Sequence, residues 1–198
     1  AALAERIQLR QSCGAIRECH GDLHAHNIVA WQGRLLPFDC LEFSAALRWI
    51  DTASEMAFLY MDLLGYGRED LASALLSRYL EASGDWEALP LYRFYAVYRA
   101  LVRAKVDVLQ DRLPRAAARI KLAARLTAPP APLMLLMQGV SGSGKSWLAA
   151  QLAPSLGALR LRSDVERKRL GGIAATARSA SPLGGGLYTP QLTQRTYA

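Results

Sequence analysis

The chain has too few cysteines, too short apolar runs and no leader pattern for several broad classes of protein. Its 198 residues include three cysteines, Cys13, Cys19 and Cys40. An odd number rules out complete disulfide pairing and predicts free thiols. Cys19 and Cys40 lie near His20, His24 and His26, which raises the question of zinc. No Cys-x-x-Cys or His/Cys pattern of metal-binding spacing is present, so a zinc site is disfavoured. The longest apolar stretches, Met56–Tyr66 and Leu133–Met137, fall well short of the ~20 residues that a membrane-spanning helix needs. No basic start leading into an apolar signal region occurs at the N-terminus. Together these absences predict a soluble, cytoplasmic protein with no membrane partner. Internal repeats are also lacking.

Apolar residues make up 52% of the sequence, enough for a packed core. The length suits one ordinary domain or two small ones. The chain begins without Met and stops in mid-pattern at Thr196-Tyr197-Ala198, which predicts a piece of a longer protein. The net charge of +7 is concentrated: residues 91–125 carry nine Lys or Arg against Asp107 and Asp111, and the rest is formally neutral. That basic stretch fits a nucleic-acid-binding face, or a solvated helix face packing through its apolar side. No stacking platform accompanies the cations, which favours the second reading and makes nucleic acid a disfavoured partner.

The apolar spacing predicts a helix over residues 1–12, stopped by Gly14. A polar cluster, residues 20–27, leads into a hairpin: strand Ile28–Trp31, turn Gln32-Gly33 and returning strand Leu35–Phe38. Pro37 has no N–H, so it should face away from the ladder. Helical spacing follows over Trp49–Leu64, Asp70–Leu80 and Leu91–Leu109. In the last of these Leu91, Phe94, Tyr98, Leu101 and Val102 are expected to point inward. Pro114 ends or kinks that helix, and a further helix reaches Leu126. Ala128-Pro129-Pro130-Ala131-Pro132 is a stiff linker and the predicted domain boundary. Beyond it, Leu133–Met137 reads as a central parallel strand buried on both faces. A helix over Lys145–Ala153 and a second strand near Ala158–Arg162 complete a βαβ pattern, giving an α/β fold with a parallel sheet over residues 133–198.

Gly139-Val140-Ser141-Gly142-Ser143-Gly144-Lys145-Ser146 satisfies the phosphate-binding loop pattern G-x-x-x-x-G-K-[ST]. Glycines allow successive backbone N–H groups to face phosphate oxygens, and the following helix adds its positive N-terminal end. Lys145 suits the β- and γ-phosphates and the Ser146 hydroxyl suits magnesium. The expected ligands are a purine nucleoside triphosphate, ATP foremost, and Mg2+. This region is similar to small P-loop kinases of the gluconate kinase, zeta toxin and chloramphenicol phosphotransferase kind. The resemblance implies that Asp164 orients or activates the acceptor, with Arg167 close behind it in the substrate site. Ser163 or Asp164 would equally serve as a helix N-cap.

A second phosphotransfer pattern lies earlier. Asp22 and Asn27 have the spacing of the protein-kinase catalytic loop, in which Asp accepts the substrate hydroxyl proton and Asn holds magnesium. Asn27 and Asp39 each lie six residues from Gly33, so a hairpin centred there would set them opposite one another, Cα atoms roughly 5 Å apart. An Asx-turn for Asp22 and Asn27 and a strand-end polar cap for Asp39 are the plainer alternatives. His24 and His26 read as hydrogen-bonding loop residues.

The stretch His20-Gly21-Asp22-Leu23-His24-Ala25-His26-Asn27, with Asp39-Cys40-Leu41-Glu42-Phe43 after it, closely resembles the aminoglycoside phosphotransferase and choline kinase family. The resemblance implies that Asp22 is the catalytic base and that Asn27 and Asp39 are magnesium ligands. It also implies that residues 1–127 form a mainly helical, protein-kinase-like C-lobe. The expected organisation is thus mixed α/β: that lobe with its hairpin, the linker at 128–132, and the start of a P-loop α/β domain at 133–198. The combination resembles a bacterial class of bifunctional ATP-binding proteins. The implied reaction moves the γ-phosphoryl group of ATP to a small-molecule hydroxyl. Residues 1–19 are too few for a nucleotide-covering N-lobe, and residues 165–198 contain neither an apolar strand ending in an acid nor a basic lid. The chain as it stands is therefore expected to bind rather than to turn over nucleotide. A regulatory or degenerate nucleotide-binding protein without transfer activity remains the alternative.

Overall fold

The hairpin forms where alternation and turn chemistry coincide. Gln32 and Gly33 both take positive φ (48° and 74°), as the two-residue turn favoured by strand twist requires. β2 (Ile28–Trp31) and β3 (Arg34–Pro37) pair antiparallel, Trp31 opposite Arg34 and Ile28 opposite Pro37. Phe38 N–H donates to the Asn27 carbonyl at 3.0 Å. Hydrogen-bonded and non-bonded pairs alternate, so Pro37 falls at a non-bonded position where its missing N–H costs nothing. In this register Phe38, not Asp39, lies opposite Asn27. The turn centre lies between Gln32 and Gly33, which moves the expected pairing by one residue.

The computed structural model describes residues 2–128, 131–140, 142–177, 181 and 185–197. A helix α1 (Ala2–Ser12) precedes β1 (Ile16–Glu18), which pairs antiparallel with β4 (Trp49–Asp51) after a one-turn helix α2 (Ala45–Arg48). The helix expected from Trp49 therefore begins only at Thr52, because residues 49–51 hydrogen-bond to β1 instead. Asp51 ends the strand and caps α3 (Thr52–Gly65), its carboxylate accepting from Ala53 N–H at 2.8 Å.

Helix α3 packs with α4 (Glu69–Ser83), α5 (Leu89–Leu109) and α6 (Leu113–Thr127). Gly84, in the left-handed conformation, closes α4. Phe58, Met61 and Leu122 form one core cluster with Ala96 and Ala100, and Leu76, Leu80 and Tyr92 form another with Ala53 and Ala57. Phe94, Tyr98 and Leu101, expected inward on α5, are exposed, while Leu91, Tyr92, Ala96, Ala100 and Ala104 are buried. The small alanine face permits close helix approach, and the bulky residues lie outside it. Pro114 sits in the first turn of α6, where its missing N–H is harmless.

Arg10 joins α1 to this bundle. Its guanidinium holds Asp51 through two contacts of 2.7 Å and Asp85 through contacts of 2.7 and 2.8 Å, and Tyr95 donates to Asp51 at 3.2 Å.

The later part of the chain is built differently. Helix α7 (Lys145–Ser155) rests on α4, and α8 (Ser163–Leu170) and α9 (Pro190–Tyr197) pack together. Arg160 N–H donates to Ser77 Oγ at 3.1 Å, and Arg162 pairs with Glu81. Among the described residues there is no parallel sheet: the two sheets are both antiparallel pairs within residues 16–51. The segments 133–137 and 158–162 are not strands, and Leu133 and Leu136 are 79% and 71% exposed. A parallel strand is stable only when paired with neighbours and covered on both faces, and neither segment has such a partner among the described residues. Pro129 and Pro130 of the expected linker lie outside the described residues.

Candidate functional site

Two loops carry the candidate chemistry. In the first, Gly21 has φ +84°, and a Cβ there would come within 2.9 Å of the Leu47 carbonyl oxygen and 3.0 Å of Leu41 Cδ1. Only glycine satisfies both the backbone and the space. The loop around it is clamped by buried charges. Glu55, in the first turn of α3, accepts the N–H groups of His20 and Gly21 at 3.2 and 3.1 Å. Arg99 of α5 donates to the Gly21 carbonyl at 3.4 Å, and its guanidinium lies over the Phe58 ring at 4.8 Å. Two turns along α3, Asp62 accepts Ala25 N–H at 3.0 Å, and its other oxygen pairs with Arg119 of α6 at 3.0 Å. Arg119 also bonds Asp107 at 3.2 Å.

The clamp sets the candidate base Asp22 and the two candidate magnesium ligands, Asn27 and Asp39. Asn27 is buried, and its Nδ2 donates to the Asp22 carbonyl at 3.0 Å, to Asp22 Oδ2 at 3.3 Å and to the Asp39 carbonyl at 3.5 Å. Asp39 reaches this point because its φ of +60° turns the chain back after β3. Asp39 thus meets Asn27 through a sharp turn rather than through strand pairing. Its carboxylate lies on an exposed residue. His20 is fixed from both ring nitrogens: Nε2 donates to the Phe38 carbonyl at 2.7 Å and Nδ1 accepts Asp22 N–H at 3.4 Å. His26 Nε2 lies 2.9 Å from the Tyr66 hydroxyl.

His24 Nε2 lies 3.3 Å from Asp22 Oδ2. Burial would raise the Asp22 pKa, but the hydrogen bond and charge of His24, the charge of Arg103 and the Asn27 amide together hold it below the ordinary value. Asp22 is therefore ionised at neutral pH, the state a proton acceptor needs. Burial raises the pKa of Glu55 despite its two N–H donors and Arg99. Cys19 is pushed up to about 11 by burial and by the charges of Glu55 and Asp51. No cluster of three or more His, Cys, Asp or Glu able to hold a metal occurs among the described residues.

In the second loop, Gly139, Gly142 and Gly144 all take positive φ. Gly144 is the N-cap of α7, and a Cβ on it would meet nothing within 4 Å. Backbone conformation, not crowding, is what calls for glycine there. Lys145 Nζ curls back over the loop, donating to the carbonyls of Gly139 and Val140 at 2.8 and 2.6 Å, with Ser143 Oγ at 3.4 Å. Ser146 is exposed in the first turn of α7. Ser141 lies outside the described residues. These residues fit a magnesium–triphosphate: a cation, open glycine backbone and a hydroxyl at a helix N-terminus.

Asp164 is 58% exposed at its side chain and pairs with Lys168 at 3.0 Å. It makes no hydrogen bond or ion pair with the 139–146 loop among the described residues. Arg162, not Ser163 or Asp164, is the N-cap of α8, and no side chain caps that end. Arg167 stacks over Tyr188 at 4.9 Å and Tyr197 at 5.9 Å.

Glu55, Asp62, Arg99, Arg103 and Arg119 were not among the expected site residues. Their spacing carried the signal: 55 and 62 lie two turns apart, and 99, 103 and 107 fall on one helical face. Arg99 is only 9% exposed, so the cations of residues 91–125 do not form one solvated face.

Residues 134–198 match the family model described as AAA domain, a P-loop nucleotide-binding class with kinase-like members. Over 182 residues the chain is 36% identical to the uncharacterized proteins Rv2004c and MT2060 of Mycobacterium tuberculosis and Mb2027c of Mycobacterium bovis. Each alignment covers 89% of this chain and 36% of the relative, so the chain spans little more than a third of the relatives' length. No solved structure matches it. Among the described residues no helix is long and apolar enough to cross a membrane.

Proposed function

We propose that the chain belongs to an ATP-dependent phosphotransferase that moves the γ-phosphoryl group to a small-molecule hydroxyl. Residues 139–146 bind magnesium–ATP, and residues 20–39 are the catalytic loop of an aminoglycoside-phosphotransferase-like lobe spanning residues 1–127. The observation that carries this reading is the convergence on Asn27, whose one amide nitrogen joins Asp22 to the Asp39 carbonyl and leaves Oδ1 for a cation. Asp22, held ionised by His24 and Arg103, takes the acceptor's hydroxyl proton. Asn27 and Asp39 hold magnesium at one site, and Ser146 holds it at the other. Magnesium supplies charge neutralisation on the phosphates. Glu55 and Arg99 keep the loop rigid from beneath. In the later segment Lys145 leaves the loop carbonyls for phosphate oxygens, while Asp164 and Arg167 address the acceptor.

Calorimetric titration with magnesium–ATP tests the binding half. A charge-assisted contact contributes about 1.5–3 kcal/mol, so Lys145→Ala should weaken binding roughly ten- to a hundredfold. Equal affinity in wild type and variant would remove the 139–146 loop from the function. Turnover with hydroxylated acceptors in a protein of the relatives' full length tests the other half, with Asp22→Asn expected to abolish transfer. Binding without any turnover there would leave a nucleotide-sensing protein.

A further inference from the structure

Beside His24, the neighbour of Asp22, a cleft of about 550 Å3 opens between the 24–27 loop, α3, α5 and α6. Its charged lining is His24, Asp62, Arg103, Arg112, Arg115 and Arg119, with His26 at the rim. Asp62 is already engaged by Arg119, which also takes Asp107. Arg103, Arg112 and Arg115 form no ion pair among the described residues, Arg103 acting on Asp22 only through its charge, and Asp111 does not line the cleft. Arg103 is the most informative of them. Among the described residues its one hydrogen-bond contact is with His24 Nε2, at 3.3 Å, the same nitrogen that approaches Asp22. One imidazole nitrogen cannot both donate to Asp22 and accept from Arg103. With its proton committed to Asp22, His24 leaves the guanidinium without an acceptor, and Arg103 Nε is also buried without a partner. A half-buried guanidinium whose Nε is buried and unpartnered calls for an anion.

We infer that this cleft is the acceptor pocket and that the acceptor is a compact polyanion: a hydroxylated small molecule bearing a phosphate or paired carboxylates. The cavity falls within the ~300–1,000 Å3 range of small-molecule sites, and Arg103 and Arg119 lie sunk in it rather than on a convex face suited to a nucleic acid. His24 joins the two functions, touching the anion-facing Arg103 on one side and Asp22 on the other. A polycationic acceptor is excluded from such a lining by like charge. The inference rests on the phosphotransferase reading for the word acceptor, but anion binding itself requires neither ATP nor magnesium, so the two readings fail separately.

The test uses the full 198-residue chain carrying Lys145→Ala, which removes the other phosphate-binding lysine. Inorganic pyrophosphate and citrate are titrated without magnesium at 150 mM salt, alongside spermine and a fluorescent 20-nucleotide DNA. Pyrophosphate, citrate or both should bind, at least tenfold more weakly after Arg112→Gln with Arg115→Gln; whichever anion binds more tightly says whether phosphate or carboxylate is preferred. Both arginines are exposed, so the variant should keep its circular dichroism and unfolding temperature. Arg103→Gln should weaken the same anion by a comparable factor. Undiminished binding in these variants, absent binding in the parent, or DNA bound through these arginines while both small anions fail, would each overturn the inference.

Discussion

Residues 1–127 and residues 131–197 reverse the usual relation between motif and architecture. The first part has an Asp–Asn loop whose meaning depends on what surrounds it, and the chain surrounds it thoroughly with three helices and a lattice of buried charges. The second carries the more explicit motif, a complete G-x-x-x-x-G-K-[ST] loop. Yet among its described residues only Val165 and Leu187 are buried hydrophobics, and its would-be core strand lies open to solvent. A phosphate-binding loop needs about eight residues and a helix start. A parallel sheet needs several strands and covers on both faces.

That contrast can be broken by mutation. Asp51 is the joint of the first part, holding Arg10, capping α3 and accepting from Tyr95. Removing one partner of a buried ion pair costs about 3–5 kcal/mol. Urea denaturation of Asp51→Ala should show a loss of that size, and a loss below about 1 kcal/mol would mean that the network is not what joins α1 to the bundle. Phe58→Ala should cost a similar ~3–5 kcal/mol by opening a cavity. Leu135→Ala in the same chain should stay within about ±0.5 kcal/mol, as expected of an exposed site. A large effect at Leu135 would show that the second part has a core of its own.

The smallest effect concerns chemistry. With Cys13 and Cys40 replaced by Ser, Cys19 is the sole thiol. The thiolate is the reactive form, and with the pKa raised to about 11 it is only about one part in a thousand at pH 8. Its alkylation rate should therefore rise about tenfold per pH unit from 8 to 10. A rate already level by pH 9 would show that β1 and Glu55 do not enclose it.

The hairpin, its two-residue turn and most helix bounds were legible because each depends on residues adjacent in sequence. The Asn27–Asp39 proximity was anticipated, but by pairing; a positive φ at Asp39 achieves it one residue off register. On α5 only Leu91 of the bulky residues expected inward is buried, because bulk is no sign of burial where the bundle packs on Ala96, Ala100 and Ala104. The clamp residues went unseen because helical periodicity orients a side chain without saying which helix it will meet.

By itself, then, the sequence determined the phosphate-binding loop pattern of residues 139–146, the Asp–Asn loop proposed as a second site, and the helical character of the first part. Tertiary structure alone decided that Glu55, Asp62, Arg99 and Arg119 converge beneath the loop that carries Asp22, that Asp22 and Arg103 meet the same nitrogen of His24, and that a basic cleft opens beside that histidine. A loop motif is written in consecutive residues, whereas the burial of a charge depends on partners tens of residues away, brought to 3.0–3.4 Å only by helix packing.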